Sequence, residues 1–167
     1  MFDGINLQAS FYILFLSFVI LLFSKLDLML LTIIISISYF MFLNSKSKSF
    51  FGDGGTLMLS YIFSVLFIKT YNINNLLFSD QIVLVMILPG FELIRLFTIR
   101  ILKKKNPFKP DRNHIHHLLI ERYSLLKVNV IIQSSIALPF ILSFFFDQTL
   151  ILIFLILIIY SYTIYKI

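Results

Sequence analysis

Long apolar runs separated by short polar segments organise this sequence. A transmembrane helix needs about 20 mostly apolar residues to cross the hydrocarbon core of a bilayer, and six runs meet that requirement. The third run is the least regular, because Ser60, Tyr61 and Ser64 interrupt it. The pattern predicts an all-α transmembrane bundle with about six spans, over residues 7–24, 27–43, 55–71, 81–101, 127–146 and 148–165.

The composition supports the membrane class. Of the 167 residues, 59% are hydrophobic and only 13% are charged, which is more apolar surface than a soluble domain of this size can bury. The chain has no cysteine, so disulfides and thiolate metal sites are excluded. Only Asp3 precedes the first apolar run, so no secretory signal is predicted. Without internal repeats or linkers, residues 1–167 are predicted to form a single membrane domain.

Basic residues are divided very unevenly between the two sides that six spans create. Of the 14 Lys and Arg residues, only Lys25 and Lys69 fall on one side, and Arg95 lies inside a span. Short loops rich in Lys and Arg stay in the cytoplasm, so the other side is predicted to be cytoplasmic. The basic residues on that side are Lys46, Lys48, Arg100, Lys103, Lys104, Lys105, Lys109, Arg112, Arg122, Lys127 and Lys166.

The same alternation places three distant polar segments on the cytoplasmic face. They are the segment around Asp3, the loop around Asp53, and the histidines at 114–117. Because packed helices bring such loops together, the sequence predicts one cytoplasmic active surface.

The segment Phe51-Gly-Asp-Gly-Gly-Thr56 lies where a cytoplasmic loop enters the third span. Glycines allow the backbone to approach a ligand closely, and a helix start presents free N–H groups to phosphate. Asp53 could hold Mg²⁺, which prefers one or two carboxylates together with substrate phosphates. The alternative interpretation makes Asp53 a helix N-cap beside a glycine turn.

The segment from Asn106 to His117 contains all three histidines of the chain, His114, His116 and His117. Pro107 and Pro110 predict an extended loop for this segment. Imidazole N–H groups and the Arg112 guanidinium are suited to a diphosphate. A three-histidine zinc site and attraction of a basic loop to anionic lipid are alternatives that composition leaves open.

Two smaller features carry further polar groups. Asp3 and Asn6 stand just ahead of the first span, either facing a ligand or forming an exposed terminus with a helix cap. Glu92 and Arg95 lie three residues apart inside the fourth span, on one helix face. Charges within a span are costly, so they pair or face a cavity. A structural ion pair is predicted, with a role in the cavity wall as the alternative.

These segments together resemble a known family. The strings Phe51-Gly-Asp-Gly-Gly-Thr-Leu57 and Pro107-Phe-Lys-Pro-Asp-Arg-Asn-His-Ile-His-His-Leu-Leu119 resemble the polyprenyl-phosphate N-acetylhexosamine-1-phosphate transferases, the MraY/WecA-like glycosyltransferase family 4. The opening Phe2-Asp-Gly-Ile-Asn-Leu7 is similar to the Asp-Gly segment of that family. The three motifs occur in the family's order, and the proline-to-histidine string is the most specific.

The resemblance implies transfer of an N-acetylhexosamine 1-phosphate from a UDP-sugar to undecaprenyl phosphate, with release of UMP and with Mg²⁺ as cofactor. It implies a multi-pass protein of the bacterial inner membrane, active on the cytoplasmic face in surface-glycan assembly, with no nucleic-acid partner. By the same resemblance Asp53 is the metal ligand, and Asp3, Asp53, His114, His116 and His117 are catalytic. Asn6, Gly54, Lys109 and Arg112 would bind substrate.

The chain also departs from the family pattern. It covers only about the C-terminal half, and the family's Asp-Asp motif has no counterpart here. Asn6 stands where the family has a second aspartate, and Met1 falls inside the Asp-Gly segment. We therefore expect a truncated remnant, or one half of a split enzyme that needs an N-terminal partner chain, as the alternative to a complete transferase. The partner expected for the chain is either that N-terminal half or a second copy of the chain in a homodimer. A histidine-based metal transporter is the more remote alternative.

Overall fold

The computed structural model describes residues 4–23, 28–74, 77–106, 113–146 and 148–166. In these ranges the regular secondary structure consists of seven helices and no strand, which confirms the predicted all-α class. The helices are α1 (Gln8–Phe23), α2 (Leu28–Ser45), α3 (Gly52–Asn74), α4 (Ser79–Leu102), α5 (Ile115–Ile120), α6 (Leu125–Leu142) and α7 (Thr149–Lys166).

Six of these helices coincide with the six predicted spans. Five are long and apolar enough to cross a membrane, namely α2, α3, α4, α6 and α7. The first predicted span corresponds to α1, which has 16 residues and is shorter than those five. The hydropathy pattern therefore located the spanning helices to within a few residues at each end.

The large apolar side chains on the helix surfaces agree with a lipid environment. Ile35 on α2, Leu57 on α3, Leu93 on α4 and Phe154 on α7 are all more than half exposed. Continuous apolar surface of this kind marks contact with lipid or protein rather than with water. Two polar side chains inside α3 are satisfied within the helix: the hydroxyls of Ser60 and Ser64 donate to the carbonyls of Thr56 and Ser60.

The described residues divide into two compact units, one up to Ile82 and the other from Val83 onward. In the first unit, the N-terminal unit, α1 packs against α2 and α3. In the second, the C-terminal unit, α5 packs on α6 and α6 packs on α7. A cluster of Leu84 and Ile87 with Leu152 and Ile156 joins α4 to α7. The prediction of a single membrane domain stays a prediction.

Candidate functional site

The C-terminal unit places the three histidines side by side at the start of the short helix α5. His114 is extended, with φ −67° and ψ 144°, and its carbonyl accepts the first hydrogen bonds of the helix, from the N–H groups of His117 and Leu118. The rings of His114 and His116 are nearly parallel, with their centroids 5.3 Å apart. The ring centroids of His116 and His117 are 4.4 Å apart. The predicted histidine cluster is therefore present as a contiguous group.

The prediction of an extended loop was wrong for His116 and His117, which lie within α5. The prolines that motivated it stand at 107 and 110 and restrict only their immediate neighbours. Beyond them, Ile115 and Leu119 are four residues apart and both buried, so one apolar face favours a helical turn there. Lys109 and Arg112 lie outside the described residues, and their substrate-binding roles stay predictions.

The middle histidine is held inside the unit. His116 is only 2% exposed. Burial, reinforced by the neighbouring His117 and His114, lowers the pKa of His116 to about 3, so the ring is neutral at neutral pH. Its Nε2 is buried and has no hydrogen-bond partner within the described part of the chain. Buried polar atoms of native proteins are nearly always paired with protein or ordered water, so this nitrogen is suited to a polar ligand atom.

Beneath the histidines lies the predicted ion pair of the fourth span. The Nη2 and Nε atoms of Arg95 donate to the two carboxylate oxygens of Glu92 at 2.9 and 3.1 Å. The Tyr160 hydroxyl on α7 donates to the same carboxylate and accepts a hydrogen bond from Arg95 Nε at 2.8 Å. A forked, fully bonded arrangement of this kind offsets the cost of charge within a span. The predicted structural ion pair is confirmed.

The ion pair also reaches the histidine segment. The backbone N–H of Ile115 donates to Glu92 Oε1 at 2.7 Å, and Arg95 Nη2 donates to the carbonyl of Asn113 at 2.7 Å. His114 Nδ1 lies 3.5 Å from Glu92 Oε1, an electrostatic contact that is too long for a good hydrogen bond. Sequence reasoning missed this link and the part that Tyr160 plays in it. The only signal was the presence of two charges within an apolar span.

An apolar cavity lies beside these groups. Its volume is about 320 Å³, and its walls come from α4, α5, α6 and α7, all within the C-terminal unit. Ile115 and Tyr160, which contact the Glu92 carboxylate, belong to the wall. The wall also includes Leu142, the last residue of α6, and Leu152, near the start of α7, which are at the ends of these helices far from Ile115 and Tyr160. The cavity therefore extends along the spans from the histidine segment into the apolar part of the unit.

The N-terminal unit contains the predicted aspartate loop. Asp53 and Gly54 lie in the first turn of α3 and are both exposed. Because α3 begins at Gly52, Asp53 is the second helical residue and not the residue before the helix, which disfavours the N-cap interpretation. Gly52 has φ +62°, a conformation that only glycine adopts without cost. A negative side chain in the first turn is favoured by the helix dipole.

A buried amide fixes the backbone around this loop. The Oδ1 atom of Asn44 accepts the backbone N–H of Leu7 at 2.6 Å, and its Nδ2 donates to the carbonyl of Ser49 at 2.7 Å. Asn6 Nδ2 in turn donates to Ser47 Oγ at 2.8 Å. Leu7 holds a positive φ of 71°, a strained conformation that persists only when its surroundings determine it. The predicted residue Asn6 thus contacts the loop that leads to Asp53.

Two of the predicted groupings stay predictions. Asp3 lies outside the described residues. A single active surface that combines Asn6 and Asp53 with the histidines involves both units, and each unit is described by itself. Sequence and local structure bring together the three histidines in one unit, and Asn6 with the aspartate loop in the other.

The described residues allow one test of metal binding. Among them, no group of three His, Asp or Glu side chains is arranged to hold a metal ion, so the zinc interpretation of the histidines gains no support. Mg²⁺ needs less from a protein, namely one or two carboxylates that share the ion with substrate phosphates. The exposed carboxylate of Asp53 at a helix start fits that requirement.

Comparison with curated proteins finds relatives that share a name. The chain is 28% identical over 95 residues to undecaprenyl-phosphate alpha-N-acetylglucosaminyl 1-phosphate transferase of Haemophilus influenzae, a match that covers 53% of this chain and 27% of the relative. It is 30% identical over 76 residues to the protein of that name from Pasteurella multocida, covering 45% and 21% of the two chains. A probable undecaprenyl-phosphate N-acetylglucosaminyl 1-phosphate transferase of Bacillus subtilis is 36% identical over 92 residues, covering 54% and 26%.

The matched regions thus span only about a quarter of the length of these relatives. No family model and no solved structure matches the chain.

Proposed function

We propose that this chain is a member of the family of polyprenyl-phosphate N-acetylhexosamine-1-phosphate transferases and that it acts in the transfer of N-acetylhexosamine 1-phosphate from a UDP-sugar to undecaprenyl phosphate. An oxygen of the lipid phosphate attacks the sugar-bearing phosphorus of the donor. The P–O–P bond breaks, and UMP leaves with the bridging oxygen. The products are UMP and a lipid-linked diphosphate sugar, made at the cytoplasmic face of a bacterial inner membrane for surface-glycan assembly.

The observation that carries this proposal is the histidine cluster at the end of a membrane span, in a chain whose relatives are named undecaprenyl-phosphate N-acetylglucosaminyl 1-phosphate transferases. The three imidazoles supply N–H donors for the oxygens of a diphosphate. Positively charged residues, including Lys103, Lys104 and Arg122, flank the segment and attract both anionic substrates. The roles of Lys109 and Arg112 as additional phosphate ligands belong to the same proposal.

Asp53 is proposed to hold Mg²⁺, with Gly54 leaving space for a phosphate next to it and Asp3 and Asn6 completing the nucleotide end. When bound, Mg²⁺ neutralises diphosphate charge and stabilises the leaving phosphate. Asn6 is tied to the loop before Asp53 by its bond to Ser47, so it is positioned to contribute an amide to the same ligand. The Asp53 carboxylate is exposed and accessible for this role.

The apolar cavity of the C-terminal unit is suited to the hydrocarbon part of a lipid. It is lined mostly by aliphatic side chains and begins next to the Glu92 carboxylate that holds the histidine segment. A lipid whose phosphate lies near the histidines can therefore place part of its chain between α6 and α7. This position supports a membrane-embedded acceptor.

The test measures UMP release by membranes that contain the chain, supplied with UDP-N-acetylglucosamine, undecaprenyl phosphate and Mg²⁺. We expect Asp53→Asn to lower the rate by at least about 100-fold, because positioned electrostatic groups of this kind contribute that much to catalysis. Asp80→Asn is the matched control, since Asp80 is also in the first turn of a helix but on the predicted opposite side of the membrane. Equal rates for both variants and the wild type would contradict the role of Asp53.

The alternative is that the chain is one half of a split transferase or a remnant. It predicts that UMP release appears only when a chain carrying the remaining spans is co-expressed, and that the Asp53→Asn effect is then seen in the reconstituted pair. A remnant would show no release under either condition.

A further inference from the structure

The backbone around His114 is held at two points by side chains from another helix. The carbonyl of Asn113 accepts a hydrogen bond from Arg95, and the N–H of Ile115 donates one to Glu92. These two groups belong to the residues on either side of His114. Together they restrain the direction in which the chain enters α5.

The helix that carries His116 and His117 depends on this restraint. α5 has only six residues, and helices this short are unstable without tertiary support. Its N-cap residue, His114, makes no side-chain capping hydrogen bond, although the first N–H groups of a helix need acceptors. Glu92 supplies that acceptor from α4, across 23 residues of sequence.

The ion pair itself is fixed by its position in the unit. Glu92 is 3% exposed, and its two oxygens accept hydrogen bonds from Arg95, Tyr160 and Ile115. Tyr160 belongs to α7, so the carboxylate is held from two spans at once. A group with this many partners has a single orientation, and it imposes that orientation on the segment above it.

We propose that Glu92 and Arg95 are positioning residues for the histidine cluster: the intramembrane ion pair caps α5 and sets the direction of His114, His116 and His117 toward the polar substrate. This inference rests on the proposed function for its catalytic consequence. Its geometric content, that the pair keeps His116 buried and ordered, stands independently of any substrate.

The alternative is that the pair only neutralises two charges within a span. An apolar replacement separates the two roles, because exchanging a buried ion pair for apolar side chains is often neutral or stabilising. The double variant Glu92→Leu/Arg95→Leu removes both backbone anchors and leaves the span more apolar than before. A charge-swapped variant, Glu92→Arg/Arg95→Glu, keeps a charge pair but presents a donor to the Ile115 N–H and an acceptor to the Asn113 carbonyl.

The experiment measures acylation of the histidines by diethyl pyrocarbonate in membranes containing the full chain, read by mass spectrometry. The chain has only three histidines, so each rate can be assigned. In the wild type, His116 should react at least about tenfold more slowly than the half-buried His117. In the double leucine variant we expect this protection to fall by about tenfold or more, since one lost hydrogen bond to a charged group shifts a local equilibrium by that factor.

Glu121→Gln serves as the matched control, because Glu121 is exposed at the other end of α5, and it should leave the His116 rate unchanged. Thermal unfolding in detergent establishes that each variant is folded. If one double variant does not fold, the other provides the result. Wild-type protection of His116 in either folded double variant would overturn the inference.

UMP release, measured in parallel, separates the two proposals. If the double variants lose the protection of His116 and membranes with the wild-type chain show no UMP release, the result would support the positioning role and count against the proposed function. UMP release that persists in the double variant, together with unchanged protection of His116, would support the proposed function and count against the positioning role.

Discussion

The two units hold their candidate functional residues in opposite ways. In the N-terminal unit a neutral amide, Asn44, ties two loops together, and the candidate metal-binding carboxylate of Asp53 stays exposed at a helix start. In the C-terminal unit a buried ion pair, Glu92 with Arg95, holds the histidine segment, and the central ring of His116 is buried with it.

This difference follows from the chemistry expected of each region. A carboxylate that is to bind a hydrated cation must remain accessible, so its support acts on the loop and not on the side chain. Imidazoles that are to donate hydrogen bonds in a fixed direction require a rigid base, and charged hydrogen bonds are the stronger kind. The comparison can be tested by removing each support in turn.

The largest effect is expected from Arg95→Leu alone. Glu92 would then be a buried charge without its main partner, and such a change typically costs about 3–5 kcal/mol in the free energy of unfolding. The Glu92→Leu/Arg95→Leu double variant leaves no unpaired buried charge, and it should lose less stability than Arg95→Leu although it also frees the Ile115 N–H and the Asn113 carbonyl. Equilibrium unfolding in mixed micelles measures both, and a single variant as stable as the double variant would show that the pair is not a buried charge pair.

A smaller effect is expected in the N-terminal unit from Asn44→Ala. This change leaves the buried N–H of Leu7 and the Ser49 carbonyl without their partner, which costs about 1–3 kcal/mol. Asn6→Ala is the comparison, because it removes one exposed side-chain bond to Ser47 and should cost no more than about 1 kcal/mol. The same unfolding measurement applies, and the order of the two losses is the result that matters. An Asn6 variant at least as unstable as the Asn44 variant would contradict the role given to the buried amide.

Most of the fold was predictable because a membrane-spanning helix requires a long apolar run, which is visible in the sequence. The exception is α5, whose six residues are too few to show a helical period and which follows a proline-rich segment. Its existence depends on Glu92, a contact between a side chain and a backbone group 23 residues away. The residues next to Ile115 in the sequence do not indicate that its N–H is bonded to the Glu92 carboxylate.

The candidate site was predictable in its residue types but not in its supports. His114, His116 and His117 form a recognisable string, and the charges of Glu92 and Arg95 within a span already indicated a pair. Tyr160 and Asn44 gave no comparable signal. A tyrosine or an asparagine near the end of an apolar run is ordinary at a membrane interface, so only three-dimensional contacts distinguish these two.

The charge pattern of the sequence predicts that the aspartate loop and the histidine segment lie on the same side of the membrane, and single-cysteine labelling tests this prediction most directly. The chain contains no cysteine of its own, so Lys48→Cys, Glu121→Cys and Asn72→Cys, all at exposed positions, give clean probes for a membrane-impermeant maleimide. In sealed inverted vesicles, Lys48→Cys and Glu121→Cys should react and Asn72→Cys should not, with the pattern reversed in right-side-out vesicles. Labelling of Lys48→Cys and Glu121→Cys from opposite sides would contradict this prediction.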